Sequence, residues 1–248
     1  MRSFYLTDCG KIRDHNEDSV SIVKNESKEH LLIVADGMGG HKAGEVASSM
    51  AVAYIGKRFS ELGSIGTKLD AVNWLNECVS EVNKQVLDYT KENPEVTGMG
   101  TTLVLALLTD DFLIFGNIGD SSGFALKSGK LHKVTKDHTL VNLLVDSGDL
   151  TEEEAKCHPK KNVLMKAIGA SVNIELDIFD VDMGSDAILL CSDGLTNMLS
   201  REQIEKVLND HTLEIEEKVS KLIRKCNARG GSDNISIAYL ERNEGCEA

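Results

Sequence analysis

Apolar residues along this chain fall into short runs with two different periods. Residues 19–23 and 31–36 read as strands around a polar turn at Lys24–His30. From about Ala43 to Phe59 the spacing turns helical, with Val46, Met50 and Tyr54 recurring on one face. A second helix is predicted from about Thr67 to Thr90, where Leu69, Val72, Val79, Val82, Val86 and Tyr89 form one stripe. Leu103–Thr109 and Phe112–Ile118, parted by Asp110-Asp111, predict a hairpin, and Phe124–Leu126 with His132–Val134 predict another around Ser128-Gly129. The segment from about Asp137 to Ala170 is polar and reads as mostly helical, with no clear strand. Strands resume at 174–182 and 187–192, helices follow at about 201–209 and 213–228, and a strand at 235–240 closes the pattern. Hairpin-linked strands with helices in consecutive pairs predict an α+β layered fold, with 137–170 inserted on it.

Composition narrows this further. The 248 residues are 41% hydrophobic, enough for one substantial core, and the two prolines mark no linker, so 1–248 is expected to be a single domain. A net charge of -13 with no basic stretch argues against a general nucleic-acid binder. Such a chain repels phosphates, so phosphate chemistry on it needs bound metal to invert the local field. The six cysteines, at 9, 78, 157, 191, 226 and 246, include no C-x-x-C pair and suit neither zinc nor a disulfide framework. Reduced thiols, an N-terminus without an apolar signal region and no run long enough to span a bilayer predict a soluble cytoplasmic protein.

The chemistry sits where the apolar runs end. Asn16-Glu17-Asp18 precedes one strand, Asp36-Gly37 closes Leu31–Ala35, Asp193-Gly194 follows Ala187–Cys191, and Asp233-Asn234 precedes Ile235–Ala238. An Asp-Gly pair alone is a favoured hairpin turn. Here both pairs follow an apolar strand and are read as preceding a helix, where a carboxylate and a glycine carbonyl offer two oxygens to a hard cation. Gly119-Asp120-Ser121 adds another carboxylate at a strand end, while the glycines of Gly98-Met99-Gly100-Thr101-Thr102 read as relief of backbone crowding.

Other chemistries fit less well. Val34–His41 superficially suits a nucleotide loop, but Lys42 stands where a third glycine is required and no Gly-Lys-Ser/Thr follows. A cysteine phosphatase needs arginine six residues past its nucleophile, where this chain has His15, Lys84, Val163, Asn197 and Ser232, and Cys246 lies too near the end. Asp180-Val181-Asp182 lacks the Thr or Val that an aspartyl-phosphate motif requires, having Gly184 instead.

Taken in order, Thr7–Asp18, Val34–His41, Gly98–Thr102, Gly119–Ser121, Cys191–Leu195 and Gly231–Asn234 resemble the metal-dependent protein phosphatase family (PPM, type 2C), in its compact bacterial branch. Each piece is modestly specific; all six in order, across nearly the whole chain, are specific. The resemblance implies a four-layer αββα sandwich of two antiparallel sheets flanked by helix pairs, with a mobile flap within 137–170. It implies a serine/threonine protein phosphatase in which hydroxide bridging two Mn²⁺ or Mg²⁺ ions attacks phosphorus without a phosphoenzyme. Position by position, Asp36 bridges the ions, Asp193 and Asp233 complete the first site, and the Gly37 carbonyl helps hold the second. Glu17 and Asp18 act on the second through water, and Asp120 with Asp193 matches a weaker third site. Arg13 holds two nonbridging oxygens with its planar fork. The implied partners are phosphoproteins, namely a bacterial serine/threonine kinase and its targets, met by a monomer without membrane or nucleic acid.

Departures from the family are specific. Met38 stands where animal members carry histidine, which leaves His41 or a metal-bound water as general acid. Asn197 replaces an acid common after Ser-Asp-Gly-Leu, and Ser122 replaces an arginine common after Gly-Asp-Ser. Lys156, Lys160, Lys161 and Lys166 cluster in the flap, where they offer either a solvated face or a surface for acidic phosphoproteins. The competing class is a binding module that recognises phosphoproteins without hydrolysing them; intact Asp36, Asp193, Asp233 and Arg13 count against it.

Overall fold

A computed structural model of the chain describes residues 1–40 and 43–242. Two antiparallel sheets face each other. One orders β1 (Arg2–Asp8), β11 (Ile235–Glu241), β10 (Ala187–Cys191), β7 (Ser122–Lys127) and β8 (Lys130–Lys133). The other orders β2 (Asp18–Lys24), β3 (His30–Met38), β5 (Leu103–Leu108), β6 (Leu113–Ile118) and β9 (Asp177–Val181), with β4 (Gly100–Thr101) paired to the end of β3. Helices α1 (Ala43–Ser60) and α2 (Lys68–Glu92) cover the second sheet, and α6 (Arg201–Leu208) and α7 (Ile215–Ala228) cover the first. The one-turn α5 (Asp193–Thr196) follows β10, while α3 (Leu140–Asp146) and α4 (Glu152–Cys157) lie between β8 and β9.

The layers explain why the central strands read as continuous apolar runs. On β3, Leu31, Ile33 and Ala35 pack toward α1 and α2, while Leu32 and Val34 pack between the sheets. On β10, Leu189 and Cys191 meet α6 and α7, while Ile188 and Leu190 meet the other sheet. Period-two side chains with both faces buried leave no polar positions. The expected four layers are present. Helix α2 starts where its capping box dictates: Thr67 Oγ1 accepts from the Asp70 backbone N–H, and the Asp70 carboxylate accepts from that of Thr67.

Four details differ from the sequence reading. Strand β1 was not anticipated; only Phe4 and Leu6 turn inward against α6 and α7, too few for a periodic signal, and Tyr5 is exposed. Asp36-Gly37 does not close β3, because β4 pairs Gly37 with Thr101 and Met38 with Gly100 and carries the strand on. Residues 174–176 are not strand. The Asn83 amide instead donates to the carbonyls of Ser171 and Val172, and the approach to β9 is irregular backbone. Between 137 and 170 only α3 and α4 are helical, and the remainder is turns, bends and irregular backbone with isolated bridges from Thr139 to Leu164 and from Ile168 to Thr101.

Antiparallel register brings the site together. β2 starts where β3 ends, so Asp18 lies directly opposite Asp36. β5 runs against β3 and β6 against β5, which returns the end of β6, with Gly119-Asp120, to the same rim. β10 ends beside the start of β11, bringing Asp193 next to Asp233-Asn234.

Candidate metal centre and active site

Asp36, on β3, is surrounded by Asp18, Asp193, Asp120 and Asp233. Burial, then these four carboxylates, hold its pKa well above the ordinary carboxylate value. Burial likewise raises Asp193, with Asp233 adding to the effect. It pushes Asp120 up to about 7, with Asp193 and Asp137 contributing. Asp18 is also pushed up to about 7, by burial first and against the hydrogen bond from Ser192. Glu17 is raised mainly by burial. Like charges directly opposite across a strand pair, as at Asp18 and Asp36, destabilise a sheet.

A hidden scaffold aims these groups. Thr102 Oγ1 accepts from the Asp36 backbone N–H at 2.9 Å, and the Thr102 N–H donates back to the Asp36 carbonyl. Ser192 Oγ donates to Asp18 Oδ2 at 2.7 Å, leaving buried Asp18 Oδ1 without a hydrogen-bond partner. Asn197 donates to Asp193 Oδ2 at 3.0 Å, so the residue replacing the family's acid orients a neighbouring carboxylate. Arg13 donates to Asp233 Oδ2 at 2.8 Å. Asn234 ties the Arg13 loop down: its Oδ1 accepts from the Glu17 N–H at 2.8 Å, and its amide donates to the Cys9 and His15 carbonyls at 2.9 and 3.0 Å. The family motifs include Thr102, Ser192 and Asn234; their hydrogen-bonding roles depend on long-range pairings that sequence spacing does not reveal.

Backbone crowding fixes Gly37 and Gly100, whereas Gly98 has open space around it and is glycine for its φ of +84°. A Cβ on Gly37 would lie 2.1 Å from the Gly44 carbonyl oxygen at the start of α1. One on Gly100 would meet the Ile168 carbonyl at 2.7 Å and the Met38 Cε at 2.9 Å, consistent with the crowding expected there. Met38 therefore lies against Gly100 and offers no proton. His41 and Lys42 lie outside the described residues. Ser122 is buried opposite Cys191, where a local packing role replaces a charge. Asp180 and Asp182 are ion-paired with Lys68 and Lys127 on the surface of β9 and the turn after it. Of the four flap lysines, Lys166 is committed to Asp177 at 2.6 Å.

The donor set suits a hard divalent cation: carboxylates and a close-approaching glycine, with an orphaned buried carboxylate oxygen on Asp18. Among the described residues no three acidic, histidine or cysteine side chains already close on one point. Asn197 and Arg13 hold Asp193 and Asp233 in other contacts, and side-chain rotation is what remains to form a ligand shell.

A fold of two antiparallel sheets with helices on both outer faces, and aspartates gathered at one rim, defines a phosphatase of the metal-dependent type. A family model described as protein phosphatase 2C matches residues 11–234. The chain is 41% identical to the serine/threonine phosphatase stp of Listeria innocua, covering 98% of this chain and 96% of the relative. Among solved structures, the serine/threonine phosphatase of S. agalactiae superposes with a TM-score of 0.90 at 36% identity, covering 98% and 99% of the two chains. The catalytic domain of the phosphatase PstP, in complex with two manganese ions, superposes at 0.81 with 34% identity, covering 97% of each. The chain belongs to the protein phosphatase 2C family, in the branch that holds these bacterial serine/threonine phosphatases.

Proposed function

We propose that this protein is a divalent-cation-dependent phosphatase acting on phosphoserine and phosphothreonine in proteins, folded as one catalytic domain. The observation that carries this reading is the set of five aspartates, Asp18, Asp36, Asp120, Asp193 and Asp233, gathered at one rim with Arg13 in contact with the last. Asp36, Asp193 and Asp233 would hold one cation, and Asp36 with the Gly37 carbonyl would hold a second. Glu17 and Asp18 would act on the second through water, and Asp120 with Asp193 would form a weaker third site. When bound, Mn²⁺ or Mg²⁺ ions generate the hydrolytic nucleophile by acidifying water and neutralise charge on the phosphoryl group.

The protein's own groups do the rest. Arg13 offers a planar pair of N–H donors to two phosphate oxygens, and its link to Asp233 sets that fork beside the carboxylates. Asn234 keeps the loop bearing Arg13 and Glu17 in register with Asp233. With Met38 unable to donate a proton, His41 or a water is left to protonate the leaving alkoxide. A bacterial serine/threonine kinase and its targets are the partners assigned on family grounds. A cytoplasmic location fits the unpaired cysteines among the described residues, and a monomer is the assembly we propose.

The test is hydrolysis of an aryl phosphate and a phosphothreonine peptide, stimulated by Mn²⁺ and abolished by chelation. Asp36→Asn and Asp193→Asn should each remove it. Activity retained in both variants would sink the two-ion reading.

A further inference from the structure

An open cleft of about 850 Å³ starts at Asp120 and Asp193 and runs between residues 133–162 and the start of α6. Its charges divide unevenly. Lys133 pairs with Asp137 and Lys136 with Asp146, each at 2.6 Å, so four of the lining charges cancel. Lys156 and Lys161 from the flap and Arg201 from α6 line the same cleft, and among the described residues none of the three makes an ion pair. Glu152 is the one further lining carboxylate outside the aspartate cluster. With Asp120 and Asp193 counted, cations and carboxylates in the lining balance; away from that rim the cleft keeps an excess of two positive charges, against the field of a chain of net charge -13. Free cations facing into a cleft contiguous with the catalytic rim have a specific use there. They receive negative charge on the same molecule that presents its phosphate to the rim.

We propose that this cleft is a subsite for a second anionic side chain of the substrate, carboxylate or phosphate, held by Lys156, Lys161 and Arg201. The proposal rests on the phosphatase reading and adds a substrate class to it: segments carrying a second anion near the phosphorylated residue. An extended segment advances about 3.3 Å per residue, so an anion about two to four residues away sits roughly 7–13 Å from the reacting phosphate. Lys160 does not line the cleft, and Lys166 is held by Asp177. The flap's basic cluster thus divides into two lysines that face substrate and two that do not.

The experiment compares three phosphothreonine peptides: one with neutral flanks, one with glutamates at those distances, and one with a non-hydrolysable phosphonate there. KM and kcat are measured with Mn²⁺, and equilibrium binding is measured by fluorescence anisotropy. Anionic flanks should lower KM about fivefold with kcat within about twofold, as exposed charge contacts of this kind deliver. Glutamate and phosphonate peptides reveal which anion the cleft prefers. In Lys156→Glu/Lys161→Glu, and separately in Arg201→Glu, the ratio of KM for neutral to anionic peptide should fall to about one. Lys156→Met/Lys161→Met should give an intermediate ratio. Equal KM for neutral and anionic peptides in the native protein, or an undiminished preference in the reversed variants, overturns the subsite. If no peptide turns over, the phosphatase reading fails, and the anisotropy ratios still decide whether the cleft selects the anionic peptides.

Discussion

Asn234 is the most consequential side chain that carries no charge at this site. Its amide spans three chain segments, accepting from the Glu17 N–H and donating to the Cys9 and His15 carbonyls, and the residue is only 6% exposed. Asn234→Ala leaves one backbone donor and two backbone acceptors without partners. Each hydrogen bond contributes about 1 kcal/mol net, and an orphaned buried group costs more, so the expected loss is about 3 kcal/mol. For a chain of this length that is a fall in Tm of roughly 6–12 °C. Asn234→Asp is the sharper control. Its carboxylate still accepts from Glu17 but faces two carbonyls with no hydrogen to give, so it should be no more stable than the alanine variant.

The activity consequence follows from what the amide holds. The loop it fixes contains Arg13, which reaches Asp233 from the far side of the same turn. With Arg13 clamping phosphate as proposed, a loosened loop would weaken that contact in the ground state and in the transition state together. KM for a phosphothreonine peptide should therefore rise about tenfold, with a smaller fall in kcat. Thermal unfolding and steady-state kinetics on both variants check this. A stability loss below about 1 kcal/mol with kcat/KM within twofold of native would show that the loop is held by other means.

His30 is buried at the far end of β3 with Nε2 unpartnered, and burial lowers its pKa from 6.5 to about 4. The unfolded chain therefore binds the extra proton, and the native state loses about 2 kcal/mol as pH falls from 6.5 toward 4.5. His30→Leu should flatten that part of the stability profile in chemical denaturation, and an unchanged slope would refute it. His138 ties the flap to the rim: its Nδ1 accepts from the Gly119 N–H at 3.0 Å and its Nε2 meets Asp177 at 3.0 Å. His138→Ala should cost about 2 kcal/mol and lower kcat/KM, while His138→Asn, whose amide oxygen takes the Nδ1 position, should restore about half; equal losses in the two variants would argue against the Gly119 contact.

What could be read from sequence was chemistry at the ends of runs. Asp36, Asp193 and Asp233 were visible because each interrupts or borders an apolar strand, and antiparallel pairing then delivers them to one rim. The helix ends were equally legible, since Thr67 and Asp70 form a local capping box that needs no tertiary partner. Invisible features all depend on partners far along the chain. Asn234 bonds residues more than two hundred positions away, and the continuation of β3 through Gly37 waits on Gly100-Thr101 for its pairing. Strand β1 escaped notice because it packs only two side chains inward and borrows its register wholly from β11. The flap lysines looked alike in sequence, and only the fold gives Lys166 an aspartate and turns Lys156 and Lys161 into the cleft.

The rim of aspartates is also a cost to folding, and that gives the last prediction. Asp36 is flanked by four carboxylates, Asp193 among them, an arrangement that full ionisation would drive apart. Without a cation the cluster opposes the native state, and a binding site built from mutual repulsion is the expected trade of stability for function. Asp36→Asn keeps the shape, removes one charge and supplies an amide N–H to Asp193. It should raise the Tm measured with chelator by about 2–8 °C, from roughly 1–2 kcal/mol of relieved repulsion, while abolishing turnover. Saturating Mn²⁺ should reverse the order. A cation that binds only the native state stabilises it by about 2.7 kcal/mol at a hundred times its Kd, and the variant, lacking the shared ligand, gains less. The reversal is the decisive observation. A variant less stable than native in chelator would mean that the aspartates are already neutralised by the protein itself, and that the rim was not built to wait for a cation.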